Sequence, residues 1–284
     1  VTLSGTPGRG GNIRMRGLGG GYTQILLDGE RVQGGLSLDS IDPDQIERIE
    51  ILRAPTAETG ARAIAGTINI ITREGRRGMP SELKVGSSFQ GGYSGPTASL
   101  VQYKDSERWS ANYTLSANRW SGPDHSQTDQ VTNGVNTRQR ITDTHYERQG
   151  LNTSARLQFK GDPGESLTLM PFVAFSQGTT PGSMLASQSL NNAAPTTTTA
   201  TTGTDNQFWV ARLNGQWKQK LSADSNVEWK FNVGGWNSHS VLHQNSLNTA
   251  VLPNIQEDSL TQDRSVNLGG KYTNVMGGGH QWVS

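Results

Sequence analysis

The chain has 284 residues, 32% of them hydrophobic, with no cysteine and a formal net charge of +1. This composition excludes thiol catalysis, zinc–thiolate sites and disulfides, and the near-zero charge gives no electrostatic footprint for nucleic acid. No run of about 18 apolar residues occurs, which excludes a membrane-spanning helix but not amphipathic membrane strands. The length predicts two domains. Because the chain starts at Val1 without an export signal and stops at Ser284 within a strand-like run, we expect a fragment of a longer protein.

Short strands and a hairpin are predicted at the start of the chain. Residues 13–16 and 24–27 are β-prone, and the glycines at 19–21 predict a flexible loop between them. Asp28-Gly29 is a strong two-residue turn signal that is followed by a polar strand at 30–33. The sequence therefore predicts a β-hairpin around this turn.

Two helical turns and two further strands are predicted before residue 75. Asp42-Pro43 predicts an N-cap with proline at the first helical position, and Thr56 predicts the cap of a second short helix at 57–59. The apolar residues of 46–52 predict that the first helix passes into a buried strand, and 67–72 predict the last strand of this region. We expect a small α+β domain.

Four motifs in this region occur in a distinctive order. They are Ile-Arg-Met-Arg-Gly-Leu at 13–18, Leu-Leu-Asp-Gly at 26–29, Ile-Glu-Arg-Ile-Glu-Ile-Leu-Arg at 46–53 and Gly-Thr-Ile-Asn-Ile-Ile-Thr at 66–72. Together they resemble the plug domain of TonB-dependent outer-membrane receptors. One departure is Ala54, where the family usually carries glycine; since alanine tolerates positive φ poorly, that turn is expected to differ slightly.

The resemblance implies a division of the chain and a set of partners. Residues 1–75 would be the plug, and residues 80–284 the N-terminal part of a transmembrane β-barrel in the outer membrane of a Gram-negative bacterium. TonB, energised from the inner membrane, would pull the plug to open a passage. In the family the motif that TonB grips normally precedes this region, so no residue of the chain is named for that contact. No cofactor and no catalytic residue are expected.

The resemblance also implies roles for individual plug residues. Arg16 and Arg53 would latch the plug by pairing with barrel carboxylates, since a guanidinium–carboxylate pair in a polar lumen gives a defined but breakable lock. Solvated arginines are the alternative. Ligand contact is implied for loop residues that would reach the outer vestibule: Gly19, Gly20, Gly21, Tyr22, Gln33, Gly34 and Gly35. Tyr22 would offer an aromatic wall and a hydroxyl. Ordinary flexible turns are the alternative there.

After residue 73 the apolar pattern changes to period two, which predicts strands with one apolar and one polar face. Four runs show it most clearly: 109–118, 151–159, 167–175 and 227–233. We predict eight strands and an incomplete ninth, against about 22 in a plugged outer-membrane transporter. Soluble sandwiches contain such strands too, so a soluble β-rich protein remains the alternative.

Two features favour a membrane barrel over a soluble sandwich. Trp209 and Trp217 lie eight residues apart on one strand face, which at about 3.3 Å per residue and a tilt near 45° spans roughly 19 Å of membrane. Predicted connections also alternate in length: short turns, as at 160–165, lie between long polar loops. These predicted loops are residues 121–148, 178–206 and 238–260. Short turns at one end and long loops at the other are typical of outer-membrane barrels.

No metal site is predicted. All five histidines, His125, His145, His239, His243 and His280, lie in or near the predicted loops, where solvated side chains are the simpler interpretation. Asp39, Asp42 and Asp44 are read as helix caps and turn residues rather than a Ca²⁺ site. The threonine-rich tract at 195–204 is predicted to be a flexible low-complexity loop.

The resulting hypothesis is a ligand-gated importer that is not an enzyme. By resemblance the cargo is a ferric siderophore, and cobalamin, haem or an oligosaccharide are alternatives. A passive porin or adhesin barrel is a second class, and it would lack the plug. A secreted glycan hydrolase is a third, which would need a paired-carboxylate site.

Overall fold

The computed structural model describes residues 2–4, 12–15, 22–27, 30–31, 46–52, 64–72, 81–90, 92–132, 136–191, 193–275 and 281–283. Within these ranges the regular elements are β-strands. None of the described residues lies in a helix that could cross a lipid bilayer. The strands form a small sheet near the start of the chain and a large antiparallel sheet after residue 81.

The N-terminal strands are β1 (Thr2–Ser4), β2 (Asn12–Arg14), β3 (Thr23–Leu27), β4 (Glu30–Arg31), β5 (Ile46–Leu52) and β6 (Gly66–Thr72). Strands β1 and β2 pair with each other, and the other four form a sheet in the order β4-β3-β6-β5. Strands β3 and β6 run parallel, and the remaining pairs are antiparallel. The predicted hairpin is confirmed by the pairing of Leu27 with Glu30.

The core of this small sheet lies against its central strand. Ile68 and Ile70, two residues apart on β6, lie on the same side and are buried with Met15 and Ala65. Gly66, at the start of β6, has φ +131°, and a Cβ there would lie 2.7 Å from both the Leu52 carbonyl oxygen and Met15 Cε. Glycine is therefore required at this close approach of two strands.

The prediction of a buried strand at 46–52 is half right. The strand exists as β5, but Ile49 and Ile51 are 55% and 49% exposed, and only Ile46 and Glu50 are partly buried. The reason is topological: β5 is an edge strand with β6 as its one neighbour in the described sheet. The two predicted helical turns, at 42–45 and 57–59, lie outside the described residues.

The large sheet contains β7 (Glu82–Gln90), β8 (Tyr93–Asp105), β9 (Trp109–Thr132), β10 (Asn136–Lys160), β11 (Ser166–Thr179), β12 (Gly182–Ser189), β13 (Thr196–Lys220), β14 (Ser225–Ser246), β15 (Ile255–Val275) and β16 (Gln281–Val283). Nine of the described strands follow one another along the sheet, and the last has three residues. This agrees with the predicted eight strands and incomplete ninth. The tenth, β12, pairs with β10 and β13 beside the main path.

Strand β12 is a continuation of β11 after a short break. Both strands pair with β10 in the same register, Glu147 with Thr179 and then Thr144 with Gly182. The break at 180–181 is bridged from both sides, because His145 N–H donates to the Pro181 carbonyl (2.9 Å) and Thr180 N–H donates to the Thr204 carbonyl (2.8 Å). The large sheet is thus a regular meander in which one face can be followed across every strand.

The long polar loops predicted between these strands are wrong. Strands β9 and β10 hold 24 and 25 residues and pair from Phe159–Trp109 to Asn136–Thr132, so most of 121–148 is a hairpin of paired strands. Most of 178–206 and 238–260 is likewise strand. The threonine-rich tract forms the start of β13, because β-branched side chains favour the extended backbone. Loops were predicted because both faces of these segments are polar. Strands with two polar faces are expected where neither face meets an apolar medium.

Candidate membrane-facing band and vestibule

The large sheet has one apolar and one polar face. Because the registers show no shift from β9 to β14, odd-numbered residues of these strands share the apolar face. Large side chains on it are exposed, such as Leu115 and Val173. The polar face carries buried hydrophilic side chains, such as Asn112 and Asn152. Apolar groups outside and polar groups inside are the inverse of a water-soluble sheet and fit a strand layer that faces lipid.

A row of mostly aromatic side chains crosses the apolar face at the end of the strands that is near the short turns. Trp109 pairs with Phe159, Phe159 with Leu167, Leu167 with Trp217 and Trp217 with Trp229. Four of these five side chains are aromatic, and those four are exposed. Aromatic side chains aligned across neighbouring strands form the girdle that outer-membrane barrels place at a membrane–water interface.

A second row lies eight residues further along the same strands. Leu151 pairs with Phe175, and Phe175 pairs with Trp209. Trp209 and Trp217 are 44% and 46% exposed, as the sequence-based band requires. Eight residues correspond to about 26 Å of strand, or roughly 19–21 Å after a tilt of 35–45°. This height is close to the apolar band of about 25 Å in outer-membrane barrels.

Between the two rows, the apolar face carries no charge on five neighbouring strands, whereas Lys104 of β8, opposite Ala111, and Arg264 of β15, opposite Gly235, lie on the flanking strands. On β9, β10, β11, β13 and β14 the outward residues are Trp109, Ala111, Tyr113, Leu115, Ala117; Leu151, Thr153, Ala155, Leu157, Phe159; Leu167, Leu169, Pro171, Val173, Phe175; Trp209, Ala211, Leu213, Gly215, Trp217; and Trp229, Phe231, Val233, Gly235, Asn237. An arginine or lysine at the bilayer midplane of such a face would cost about 2–4 kcal/mol. The side chains of this band are therefore compatible with contact to lipid hydrocarbon.

The polar face is held together by side-chain hydrogen bonds between strands. Asn214, Asn232 and Asn267 lie opposite one another on β13, β14 and β15, and Asn232 Nδ2 donates to Asn214 Oδ1 while Asn267 Nδ2 donates to Asn232 Oδ1 at 3.5 Å. Nearby, Gln216 Nε2 donates to Glu228 Oε1 at 2.7 Å. Such a hydrophilic face suits a wet barrel interior.

The histidines lie on strands, so their predicted placement in loops is wrong for the four that are described. His125 Nδ1 is 2.6 Å from Asp143 Oδ1, and His239 Nε2 is 2.8 Å from Asp258 Oδ1, both between neighbouring strands. On a strand, His239 and His243 are about 13 Å apart along the chain and cannot share a metal ion. Within the described residues, no three His, Asp or Glu side chains are grouped closely enough to hold a metal.

Of the plug residues predicted to bind ligand or latch the barrel, the structure describes one. Tyr22 is 50% exposed, and its backbone carbonyl accepts a hydrogen bond of 2.9 Å from Ala65 N–H. The backbone at this residue is thus fixed to the start of β6 while the side chain stays accessible. The remaining candidates lie outside the described residues: Arg16, Gly19, Gly20, Gly21, Gln33, Gly34, Gly35 and Arg53.

A cavity of about 470 Å³ lies on the polar face of the large sheet, in the part of the strands that is far from the short turns. Its floor comes from β9, β10 and β12 and includes Arg138 and Arg140, and its wall is the segment 250–253, which includes Leu252. Sequence reasoning missed this site because its lining residues lie within 121–148, 178–206 and 238–260, which were predicted to be loops. The available signal was the alternation of arginine with uncharged residues in 137–141, which predicts both guanidinium groups on one strand face.

Comparison with known proteins identifies the N-terminal region. Residues 1–67 match the TonB-dependent receptor plug domain family. The rhizobactin receptor of Rhizobium meliloti is 39% identical over 106 residues, which cover 34% of this chain and 14% of that protein. The vitamin B12 transporter of Vibrio vulnificus is 36% identical over 96 residues, covering 32% and 16%. The ferric enterobactin receptor of Pseudomonas aeruginosa is 31% identical over 151 residues, covering 41% and 20%.

These alignments span one fifth or less of each relative. Among solved structures, the siderophore receptor PiuA of Acinetobacter baumannii aligns with 96% of this chain and 58% of its own, at 12% identity and a TM-score of 0.33. That score is too low to add to the argument, which rests on the plug match and on the two-faced sheet. Residues 1–67 therefore match the TonB-dependent receptor plug domain, and the antiparallel sheet that follows has the strand arrangement of a partial barrel.

Proposed function

We propose that this protein is an outer-membrane transporter that takes up a ferric siderophore with energy delivered by TonB. In this proposal residues 1–75 are the plug and residues 80–284 are the first part of the barrel. The division is supported by the strands themselves, since β6 ends at Thr72 and β7 begins at Glu82. A barrel that contains a plug is closed at rest, so transport needs an external source of work, and no catalytic chemistry is required.

The proposal is carried by one observation: a match to a plug domain is followed by an outward-facing apolar band that is uncharged on β9, β10, β11, β13 and β14. A passive porin would have the band without the plug, and a soluble β-rich enzyme would have neither. The band rows at Trp209 and Trp217 fix how deep the sheet would sit in the membrane. The extended polar strands beyond Trp209 would then project outward from the cell and form a vestibule.

The cargo proposal is supported by relatives named as receptors for rhizobactin and for ferric enterobactin. A siderophore saturates the coordination of its own iron, so the protein needs to recognise the outside of the chelate and not the metal. Cobalamin is the second candidate, because a vitamin B12 transporter is among the similar proteins. Haem and oligosaccharides have no comparable support.

Within the plug, Arg16 and Arg53 are proposed to latch the domain to carboxylates of the barrel wall. Gly19, Gly20, Gly21, Tyr22, Gln33, Gly34 and Gly35 are proposed to meet the ligand from below. The exposed ring of Tyr22 on an anchored backbone supports this role, because a fixed aromatic side chain loses little entropy on contact with a bulky ligand.

Uptake in the native bacterium tests the proposal directly. Iron-starved cells with the gene and cells without it are given radioactive iron as ferric enterobactin, and each strain is compared with a derivative that lacks TonB. We expect accumulation of iron that needs both the gene and TonB. Radiolabelled cyanocobalamin is the parallel cargo.

Uptake of cobalamin but not of the iron chelate would replace the cargo and keep the transporter. Passage of either compound in the absence of TonB would indicate a passive pore. A protein recovered from the cells in plain buffer, without detergent, would reject the membrane placement altogether.

A further inference from the structure

A row of glutamines crosses the outward face of the large sheet, directly beyond the second aromatic row. Gln149 pairs with Gln177, and Gln177 pairs with Gln207. Each glutamine is two residues further along its strand than a member of the second row, as Gln207 is from Trp209. The two rows therefore run side by side, about 7 Å apart along the strands. We call Gln149, Gln177 and Gln207 the amide row.

The amide row has hydrogen-bonding capacity that the described part of the chain does not use. Gln149 and Gln207 are exposed, and Gln177 is half-buried. Among the described residues, no group donates to or accepts from their side-chain amides. Each amide offers one acceptor oxygen and two N–H donors. Gln216, on the opposite face, differs because its Nε2 donates to Glu228 Oε1 at 2.7 Å.

Cross-strand pairs hold both ends of the row in place. At one end Arg119 Nη2 lies 3.2 Å from Glu147 Oε2, and at the other His239 Nε2 lies 2.8 Å from Asp258 Oδ1. Arg119 and His239 are opposite the first and the last member of the amide row. Glu147 and Asp258 belong to the next row outward, which also contains Asp205. The surface thus presents neutral amides first and carboxylates beyond them.

The position and the chemistry of this surface favour a hydroxyl-rich lipid headgroup. A tilt of 35–45° places the amide row about 5 Å beyond the row of Trp209, and the polar region of one leaflet is about 5–7 Å deep. The row would therefore lie at headgroup depth. Sugar hydroxyls both donate and accept, which suits amides, and they can donate to the carboxylates of the next row. A headgroup made of phosphate alone would meet those carboxylates with like charge.

We propose that the amide row binds the sugar headgroup of a glycolipid in the outer leaflet, whose acyl chains cover the apolar band directly below. The inference rests on the membrane placement in the proposed function and adds a lipid partner to it. Its support is continuity, because the amide row and the band lie on one face of the same strands without a shift in register. One lipid molecule could contact both surfaces at once.

The test uses the full-length receptor in detergent, freed of native lipid. It is mixed with purified rough lipopolysaccharide, with the free core oligosaccharide of that lipid or with phosphatidylglycerol, and native mass spectrometry measures the bound fraction. We expect the lipopolysaccharide to bind more tightly than the other two. Each single substitution, Gln149→Ala, Gln177→Ala or Gln207→Ala, should weaken its binding ~3-fold and the triple variant ~30-fold, without an effect on phosphatidylglycerol.

Matched variants separate sugar recognition from a structural effect. Asn206→Ala removes an amide from the opposite face of the same strand, next to Gln207, and should leave the affinity unchanged. Gln207→Asn keeps the amide group and should bind more tightly than Gln207→Ala. The thermal midpoint of unfolding in detergent shows that each variant is folded. A chelator of divalent cations should leave the wild-type affinity unchanged, because amides bind hydroxyls without a metal ion.

Four outcomes would overturn the inference. Glutamine variants that bind lipopolysaccharide like the wild type would remove the role of the row, and equally tight binding of phosphatidylglycerol would remove the selectivity for sugar. Equally tight binding of the free oligosaccharide would indicate a soluble saccharide as the partner. Complete loss of binding in the chelator would assign it to cations held by the carboxylates. TonB-dependent uptake of iron is compatible with all four, so the proposed function would stand. A receptor that dissolves in plain buffer rejects both together.

Discussion

The small plug sheet and the large barrel sheet place the same kinds of residue on opposite sides. In the plug, Ile68 and Ile70 of the central strand are buried against Met15. In the barrel sheet, Trp209 and Trp217 remain exposed on one face while asparagines and threonines are buried on the other. The difference follows from the medium that each sheet is built for, since the apolar groups of the small sheet are withdrawn from water and those of the large sheet are placed as they would be against hydrocarbon.

The comparison also shows that a sheet's core cannot be read from hydrophobicity alone. Alternating residues predict that two faces differ, and the identity of the buried face depends on the medium outside. Substitutions on the two sheets test this inversion, from the largest expected loss of stability to the smallest. Each is measured in the full-length protein.

The largest effect is expected in the plug core. Ile70→Ala removes a buried side chain beside Ile68 and should lower the stability of the plug by about 2–5 kcal/mol. Amide hydrogen exchange of β6 is the measurement, because it reports this sheet separately from the barrel. The matched control is Ile49→Ala on the exposed edge strand, with an expected change within about 0.5 kcal/mol. An equal loss at both positions would mean that another surface covers β5.

The next effect tests the lipid-facing band. Leu213 lies halfway between Trp209 and Trp217, opposite Pro171 and Val233, so Leu213→Arg puts a charge at the bilayer midplane and should cost about 2–4 kcal/mol. Unfolding from lipid vesicles by guanidinium chloride measures it. Gln216→Arg, on the polar face of the same strand and next to Glu228, is the control and should be nearly neutral. If both variants behaved alike, the two faces would not differ in their medium.

Backbone strain in the plug gives the third prediction. Gly66→Ala forces a Cβ to within 2.7 Å of the Leu52 carbonyl oxygen at φ +131°, and we expect a loss of about 1–3 kcal/mol. Faster amide exchange in β5 and β6 would detect the separation of the two strands. Gly92→Ala is the control at positive φ without a close neighbour, which isolates the conformational strain from the contact. Equal losses would show that the contact with Leu52 contributes nothing.

The smallest effect concerns the asparagine row of the polar face. Asn232→Ala removes hydrogen bonds to both Asn214 and Asn267 and should destabilise the barrel by about 1 kcal/mol, because water can replace part of what is lost. The thermal midpoint of barrel unfolding measures it, with the exposed Asn226→Ala on the same strand as control. An unchanged midpoint in Asn232→Ala would show that the row is solvated rather than stabilising.

The barrel strands could be predicted because their signal is local. Each run, such as 109–118 or 167–175, alternates between two media across a single strand, and that alternation needs no knowledge of the neighbours. The band height followed in the same way from Trp209 and Trp217. The plug motifs likewise lie within short segments, and the pairing of β3 with β6 agrees with the strands expected there.

The outer half of the strands could not be predicted, because its signal is not local. Beyond Trp209 the alternation disappears and the strands have the polar composition of loops, as expected where both faces of a sheet meet water. Hydrogen bonds to neighbouring strands keep these segments extended, as in the continuous pairing of β9 with β10 up to Thr132. Pairing with neighbouring strands likewise keeps the threonine-rich tract extended as part of β13.

The sequence by itself determined the plug motifs and the strands with one apolar face, because both follow from short-range patterns of side chains. The tertiary structure decided that β5 is an exposed edge and that the polar stretches are strands. It also decided that Arg138, Arg140 and Leu252, more than 100 residues apart in the case of the last two, line one cavity. Such a meeting depends on the register of strands that are distant in the chain, and register is fixed by the packing and hydrogen bonding of the whole sheet.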